Sequence, residues 1–146
     1  MIDIEKLINN VGIILRKTSL EDNLCGFIEY NNNTEKYTIT INANHGFNRQ
    51  RFTMAHEFAH FMLHDEIIKL RGQLDRDFAS ENISQEDKRL ESQADSYGAN
   101  ILMPLDLINE IIRLNKYDIN KPEDRRSIAL QLGVSEVALG IQISDL

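Results

Sequence analysis

The sequence has few of the residues that mark several common classes of protein. Its 146 residues include one cysteine, two prolines and no tryptophan. With Cys25 alone no intramolecular disulfide can form, which excludes a disulfide-stapled secreted domain and favours a reducing compartment. No repeat, low-complexity tract or linker rich in proline and glycine divides the chain. We therefore expect one ordinary domain over residues 1–146.

Long apolar runs and clusters of basic residues are also missing. The longest early apolar run, 11–15, is interrupted by Gly12 and preceded by acidic residues, so neither a signal peptide nor a membrane span is predicted. The formal net charge is −7 and the Lys and Arg residues are scattered. Nucleic-acid phosphates are bound by basic patches, so direct nucleic-acid binding is disfavoured. We expect a cytoplasmic protein that contacts neither membrane nor nucleic acid.

What the chain does contain is an HExxH motif inside an apolar stretch, QRFTMAHEFAHFMLH at 50–64. His56 and His60 are four residues apart, so a helix places both imidazoles on one face, where they can bind one metal ion. Glu57 lies about 100° round the helix axis, where its carboxylate can act as a general base without being a ligand. Two ordinary helix histidines are the alternative. A helix that is apolar nearly all round is buried, and burying these three side chains without a partner is costly, which favours a metal.

A second helix is predicted to begin after Ser84 and to carry Glu91 and Asp95, again four residues apart. A catalytic zinc uses three protein ligands and keeps one position open, so Glu91 would complete a set of two histidines and one glutamate. Asp95 is placed to accept a hydrogen bond from the far ring nitrogen of a ligating histidine. Considered without the HExxH motif, the same two carboxylates would indicate only a solvated helix face.

His64 is the competing third ligand. It lies eight residues after His56, whereas the metzincin pattern places its third histidine ten residues after the first, with a glycine between them. Neither condition holds here. We therefore expect His64 to end the helix and to interact with its terminal carbonyl groups.

The segments around these helices predict an α+β fold. A short helix at 3–10 precedes three strands, at 12–18, 27–30 and 37–42, and turn residues at 31–33 join the last two into a hairpin. The three strands should form a small sheet packed on the HExxH helix. Strand 37–42 either only packs there or also forms an exposed edge to which a peptide substrate adds.

The remaining segments are less regular or purely helical. Residues 65–81 are mixed and charged, and we expect a mobile segment beside the cleft with at most a short helix. The sheet and the active-site helices should occupy 1–103, and a helical C-terminal subdomain 104–146. Within the latter, 128–135 is similar to part of a helix-turn-helix. The helix after it, 136–143, has no Lys or Arg, so it is expected to be a packing cap or a partner-docking surface and not a DNA reader.

Three motifs in order resemble the ImmA/IrrE family of zinc metallopeptidases: RFTMAHEFAHFMLH at 51–64, ESQAD at 91–95 and ANILMP at 99–104. The resemblance implies a minimal zincin-like, gluzincin-type fold. It also implies Zn²⁺ held by His56, His60 and Glu91, with Glu57 as the catalytic base. Ala59 stands where this family usually has glycine and Gln93 where it often has glutamate, and neither position is a proposed ligand.

The resemblance further implies a zinc-dependent endopeptidase that cleaves a helix-turn-helix repressor in a mobile-element or stress regulatory system. A second hypothesis is a non-catalytic binding module that sequesters a regulator or a toxin partner, because HExxH describes a capacity for chemistry and not turnover. Antitoxin-like pairing with a neighbouring gene's product is a third, weaker one. The sequence identifies neither the cleavage site nor the oligomeric state.

Overall fold

The computed structural model describes residues 1–76 and 83–144, which form an α+β fold. The elements in chain order are α1 (Ile4–Asn10), β1 (Ile14–Thr18), β2 (Gly26–Asn31), β3 (Lys36–Asn42), α2 (Phe47–Leu63), α3 (Asp65–Arg71), β4 (Gln73–Leu74), α4 (Gln85–Leu102), α5 (Leu105–Asn115), α6 (Pro122–Leu132) and α7 (Glu136–Ser144). The α+β class predicted from the sequence is confirmed. The sheet contains one short strand more than the three expected.

The strands form one mixed sheet in the order β1-β3-β2-β4. β3 pairs in parallel with β1 and antiparallel with β2, and β4 pairs antiparallel with the other edge of β2. The predicted hairpin of β2 and β3 is therefore present. The hypothesis that residues 37–42 form an exposed edge for a substrate is wrong, because both edges of β3 are already hydrogen-bonded to neighbouring strands.

Helix α2 packs on β2 and β3 with one side and on α4 with another. Buried apolar side chains such as Met54 and Phe58 join the core that also contains Ile39 of β3. Gly98 allows the two helices to approach closely. A Cβ at this position would lie 3.1 Å from the carbonyl carbon of Ala55 and 3.1 Å from the backbone nitrogen of His56. This contact brings the HExxH motif and the ESQAD motif face to face.

Arg51, in the first turns of α2, connects this helix to the N-terminal segment and to the end of α6. Its Nη1 donates to the carbonyl of Ile2 at 2.8 Å, and its Nε and Nη2 donate to Gly133 and Leu132 at 3.0 and 3.2 Å. The guanidinium is buried, so these charge-assisted bonds satisfy groups that water does not reach. Gly133 has a φ of 69°, a left-handed conformation that glycine adopts without strain, and it ends α6 there.

The mixed segment 65–81 is more regular than expected in its described part. It contains α3, which ends at Gly72 with a φ of 84°, and then β4. Residues 77–81, for which mobility was also predicted, lie outside the described residues. The placement of β4 on β2 brings the next residue, Asp75, towards α2.

The C-terminal helices α6 and α7 meet at an angle of 103°. This bend across Gly133 gives the helix-turn-helix-like arrangement that residues 128–135 indicated. In the described part of the chain, no single helix is long and apolar enough to cross a membrane. α6 and α7 are long and apolar enough only when they are counted together, as one bent pair. The subdomain boundary at residue 104 stays a prediction.

Candidate metal centre

The two histidines of the HExxH motif lie one turn apart on α2, and Glu91 of α4 faces both of them. Glu91 Oε1 is 3.0 Å from His56 Nε2, and Glu91 Oε2 is 2.8 Å from His60 Nε2. One carboxylate therefore spans the two imidazoles. Helical spacing accounts for the position of each side chain on its own helix. The close contact of α2 and α4 at Gly98 brings Glu91 next to the two histidines.

A fourth side chain, Asp75, completes this cluster, and the sequence analysis missed it. Its Oδ2 is 3.0 Å from Nε2 of His56 and 3.0 Å from Nε2 of His60. Each of the four residues, His56, His60, Asp75 and Glu91, offers one ligand atom, and these atoms all lie within 4.8 Å of one another. Asp75 belongs to no motif. It reaches the site through the pairing of β4 with β2, and no local sequence pattern signals such a contact.

Behind the cluster, the far nitrogen of each imidazole has a partner of its own. His56 Nδ1 lies 2.7 Å from Asp95 Oδ1. His60 Nδ1 lies 2.8 Å from His64 Nδ1, and His64 Nε2 lies 2.8 Å from Gln93 Oε1. A carboxylate only accepts, so His56 donates from Nδ1. If Gln93 accepts from His64 Nε2, then His64 Nδ1 accepts from His60. Both partners therefore leave the Nε2 lone pairs facing the cluster.

The side chain of His64 differs from its expected position. Its backbone does end α2, with its N–H donating to the carbonyl of His60 at 2.7 Å. The imidazole, however, points inward to His60 Nδ1 and not to the terminal carbonyls of the helix. That expectation was wrong because a buried N–H must be satisfied, and the partner of His60 is His64. Gln93, one of the departures from the family's usual residues, belongs to the same hydrogen-bonded chain.

Glu57 lines a cleft of about 210 Å³ next to the cluster. Glu57 is 1% exposed, and in the described part of the chain its Oε2 has no hydrogen-bond partner. Burial raises the pKa of Glu57 well above its ordinary value, and the negative charge of Asp75 raises it further. The cleft is also bordered by Phe52, Thr53, Asp95 and the segment 23–26, which precedes and begins β2.

The carboxylates of the cluster make its surroundings electrostatically negative. Burial by itself would lower the pKa of His56, but hydrogen bonds to Asp75, Asp95 and Glu91 raise it well above its ordinary value. Burial would raise the pKa of Asp75, yet its close contacts with Glu57 and with Nε2 of the two histidines hold it well below its usual range. A site that favours a positive charge this strongly, even on a buried imidazole, suits a cation.

Within residues 1–76 and 83–144, four buried polar atoms around the cluster have no hydrogen-bond partner: Glu57 Oε2, His60 Nε2, Asp75 Oδ1 and Glu91 Oε2. His60 Nε2 and Glu91 Oε2 are only 2.8 Å apart, but no hydrogen bond joins them. Buried polar atoms in native proteins are normally satisfied. A metal ion bound here would satisfy two of these atoms, His60 Nε2 and Glu91 Oε2, because both can act as its ligands. The set of nitrogen and oxygen atoms therefore fits a metal ion.

An HExxH helix packed on a small sheet, with a glutamate from a second helix facing both histidines, is typical of metallopeptidases. The comparison with protein families agrees. The family model of Peptidase_M78, described as the IrrE N-terminal-like domain, matches residues 9–144, and the chain belongs to this family. No curated protein matches the chain.

Proposed function

We propose that the protein is a zinc-dependent endopeptidase. The observation that carries this proposal is the convergence of both Nε2 atoms and the Glu91 carboxylate beside Glu57, at the wall of an open cleft. In the proposed site His56, His60 and Glu91 hold the metal. Two imidazoles and one carboxylate are a ligand set found in catalytic zinc sites, which favours zinc.

The chain's own residues would supply the remaining chemistry of peptide hydrolysis. Zn²⁺ bound here would lower the pKa of a water molecule and polarise the scissile carbonyl. Glu57 accepts a proton as water attacks the carbonyl carbon, and it donates a proton to the amine as the C–N bond breaks. Its carboxylate lines the cleft beside the proposed metal ligands, where it can hold the proton between the two steps. Asp95 keeps the proton of His56 on Nδ1, so that Nε2 stays free for the metal.

The proposed substrate is a protein, and the peptidase family supports that class. We extend the proposal to a helix-turn-helix repressor, on the basis of the sequence resemblance to the ImmA/IrrE family. A cytoplasmic setting, expected from the single cysteine, belongs to the same proposal.

The first test is the metal content of the purified wild type beside His60→Ala and Glu91→Ala, measured by mass spectrometry. We expect about one zinc per wild-type chain and little in either variant, because each substitution removes one of three proposed ligands. Zinc that is lost in His60→Ala but kept in Glu91→Ala would show that Glu91 is not a ligand. A wild type that takes up no metal would contradict the catalytic proposal.

The second test is cleavage of co-expressed helix-turn-helix repressors by the wild type, Glu57→Gln and the control Glu110→Gln. Glu110 is exposed on α5, so its substitution makes the same chemical change away from the site. Glu57→Gln should keep zinc and lose cleavage by about 10²- to 10⁴-fold, the usual contribution of a general base. Cleavage retained by Glu57→Gln would remove the role of Glu57. A repressor that is bound but stays intact with the wild type would favour the sequestering module.

A further inference from the structure

Asp75 reaches the cluster of four side chains from the sheet, whereas the other three members come from α2 and α4. β4 lies antiparallel on the outer edge of β2, with Leu74 opposite Ile28 and Gln73 opposite Glu29. Asp75 follows β4 directly, and its φ of 75° is left-handed, a conformation that few residues other than glycine adopt. The backbone therefore leaves the line of the strand at the residue whose side chain enters the cluster.

The residues on both sides of Asp75 are attached to β2. Arg76 Nη1 lies 2.9 Å from Glu29 Oε1, and its guanidinium carbon is 5.0 Å from the ring centre of Phe27. Before β4, the backbone N–H of Tyr30 donates to the carbonyl of Gly72 at 2.9 Å. Together with the pairing of β4, these contacts hold Asp75 against the two histidines.

The carboxylate of Asp75 is 8% exposed and faces both Nε2 atoms at the same distance, 3.0 Å. Its second oxygen, Oδ1, has no hydrogen-bond partner among the residues that the structure describes, and neither has Oε2 of the buried Glu57 beside it. A third carboxylate in a buried site that already contains Glu57 and Glu91 is costly unless a cation compensates it. The position and the burial of Asp75 thus match those of a ligand.

We propose that Asp75 is a fourth protein ligand of the metal ion, so that the conformation described here is a closed site. The inference rests on the proposed binding of a metal by His56, His60 and Glu91. Zinc bound by four protein ligands has no position open to water, whereas a catalytic zinc needs one. The described conformation is therefore a resting state, and hydrolysis requires the carboxylate of Asp75 to leave.

The same segment also covers the sheet edge beside the cleft. Extended peptides bind proteins by adding as a strand to an exposed edge, and β4 occupies the edge of β2 at Ile28 and Glu29. A substrate strand that displaced β4 would withdraw Asp75 at the same time. Because β4 has only two paired residues, this exchange would break few backbone hydrogen bonds.

The test compares metal binding by the wild type, Asp75→Ala, Asp75→Asn and the control Asp106→Asn. Asp106 is exposed in the first turn of α5, so the control loses the same charge away from the site. Zinc affinity is measured by competition with a chelator. Both Asp75 variants should bind zinc at least about tenfold more weakly, because loss of a ligand should cost no less than loss of a residue that orients one. The control should be unchanged.

The second readout is the visible spectrum of each protein with Co²⁺ in place of zinc, which reports the coordination geometry. Added azide should leave the wild-type spectrum unchanged and shift that of Asp75→Ala, where a position has opened. Acetate should restore a wild-type-like spectrum to Asp75→Ala, because it supplies the missing carboxylate. Circular dichroism of Asp75→Asn, which preserves the shape of the side chain, shows whether the variant is folded.

Equal zinc affinities, together with a wild-type spectrum that responds to azide, would overturn the role of Asp75 and leave the proposed peptidase site standing. A wild type that binds neither zinc nor Co²⁺ would overturn both proposals. Neither readout depends on finding the substrate.

Discussion

The two sides of the candidate metal centre hold their imidazoles in different ways. On the cleft side, His56 Nδ1 lies 2.7 Å from Asp95, whose side chain is 56% exposed. On the interior side, His60 is fully buried, and its Nδ1 lies 2.8 Å from His64, which in turn contacts Gln93. α2 thus presents two histidines whose Nδ1 atoms have different partners. His56 contacts a charged carboxylate, and His60 contacts a neutral imidazole that is itself in contact with an amide.

The difference shows how burial selects the partner. Asp95 keeps contact with water, so its negative charge costs little. A carboxylate in the place of His64 would be buried beside the carboxylates of the cluster, and this is costly. Burial lowers the pKa of His64, which keeps it neutral and able to accept from His60. We expect the interior side to contribute to both stability and metal binding, and the cleft side to metal binding alone.

The largest effect in this comparison is expected for His64→Leu. The substitution leaves the N–H of His60 buried and unpaired, which costs about 1–3 kcal/mol of unfolding free energy. Zinc affinity should also fall about 10- to 100-fold, because the ring of His60 is no longer oriented. Denaturant unfolding in excess chelator measures the first quantity, and chelator competition measures the second. His64→Gln retains an acceptor and should lose less of both, so equal losses in the two variants would contradict the hydrogen-bonded chain.

A smaller effect is expected for Gly98→Ala, which alters the packing of α4 against α2 and so affects both sides of the site together. Alanine gains about 1 kcal/mol of helix propensity, but its Cβ would press on the backbone of Ala55 and His56. Such overpacking costs about 1–3 kcal/mol, so a net destabilisation of about 1 kcal/mol is expected. Zinc affinity should fall as well, since α4 carries Glu91.

Gly140→Ala is the matched control for this substitution, because no described atom lies within 4 Å of a Cβ at that helical position. It should be neutral or stabilising in the same denaturant measurement. If both alanine variants gain stability, the approach of α2 and α4 does not require glycine.

The smallest effect on stability is expected for Asp95→Asn. Its contact with His56 is partly exposed, so unfolding free energy in chelator should change by less than about 1 kcal/mol. Zinc affinity should still fall about tenfold, because the amide is a weaker partner for His56 Nδ1 than the carboxylate. The same two measurements apply. A stability loss as large as that of His64→Leu would remove the contrast between the two sides.

Local sequence was sufficient for some of these residues and not for others. The positions of His56, Glu57 and His60 on one helix follow from its period, and the order of the motifs pointed to Glu91. The strand pattern also predicted the hairpin of β2 and β3. The sequence did not show that β3 lies between two neighbours, because strand order depends on pairing with β1, which is distant in the chain.

The sequence by itself determined the α+β class, the HExxH helix and the type of donors at the site. Helical and strand periodicity depend on neighbouring residues, so they can be seen in the chain alone. Only the tertiary structure decided that Asp75 faces the two histidines and that His64 lies behind His60. The first depends on the pairing of β4 with a strand more than forty residues earlier. The second depends on which buried N–H groups remained to be satisfied once α2 had packed against α4.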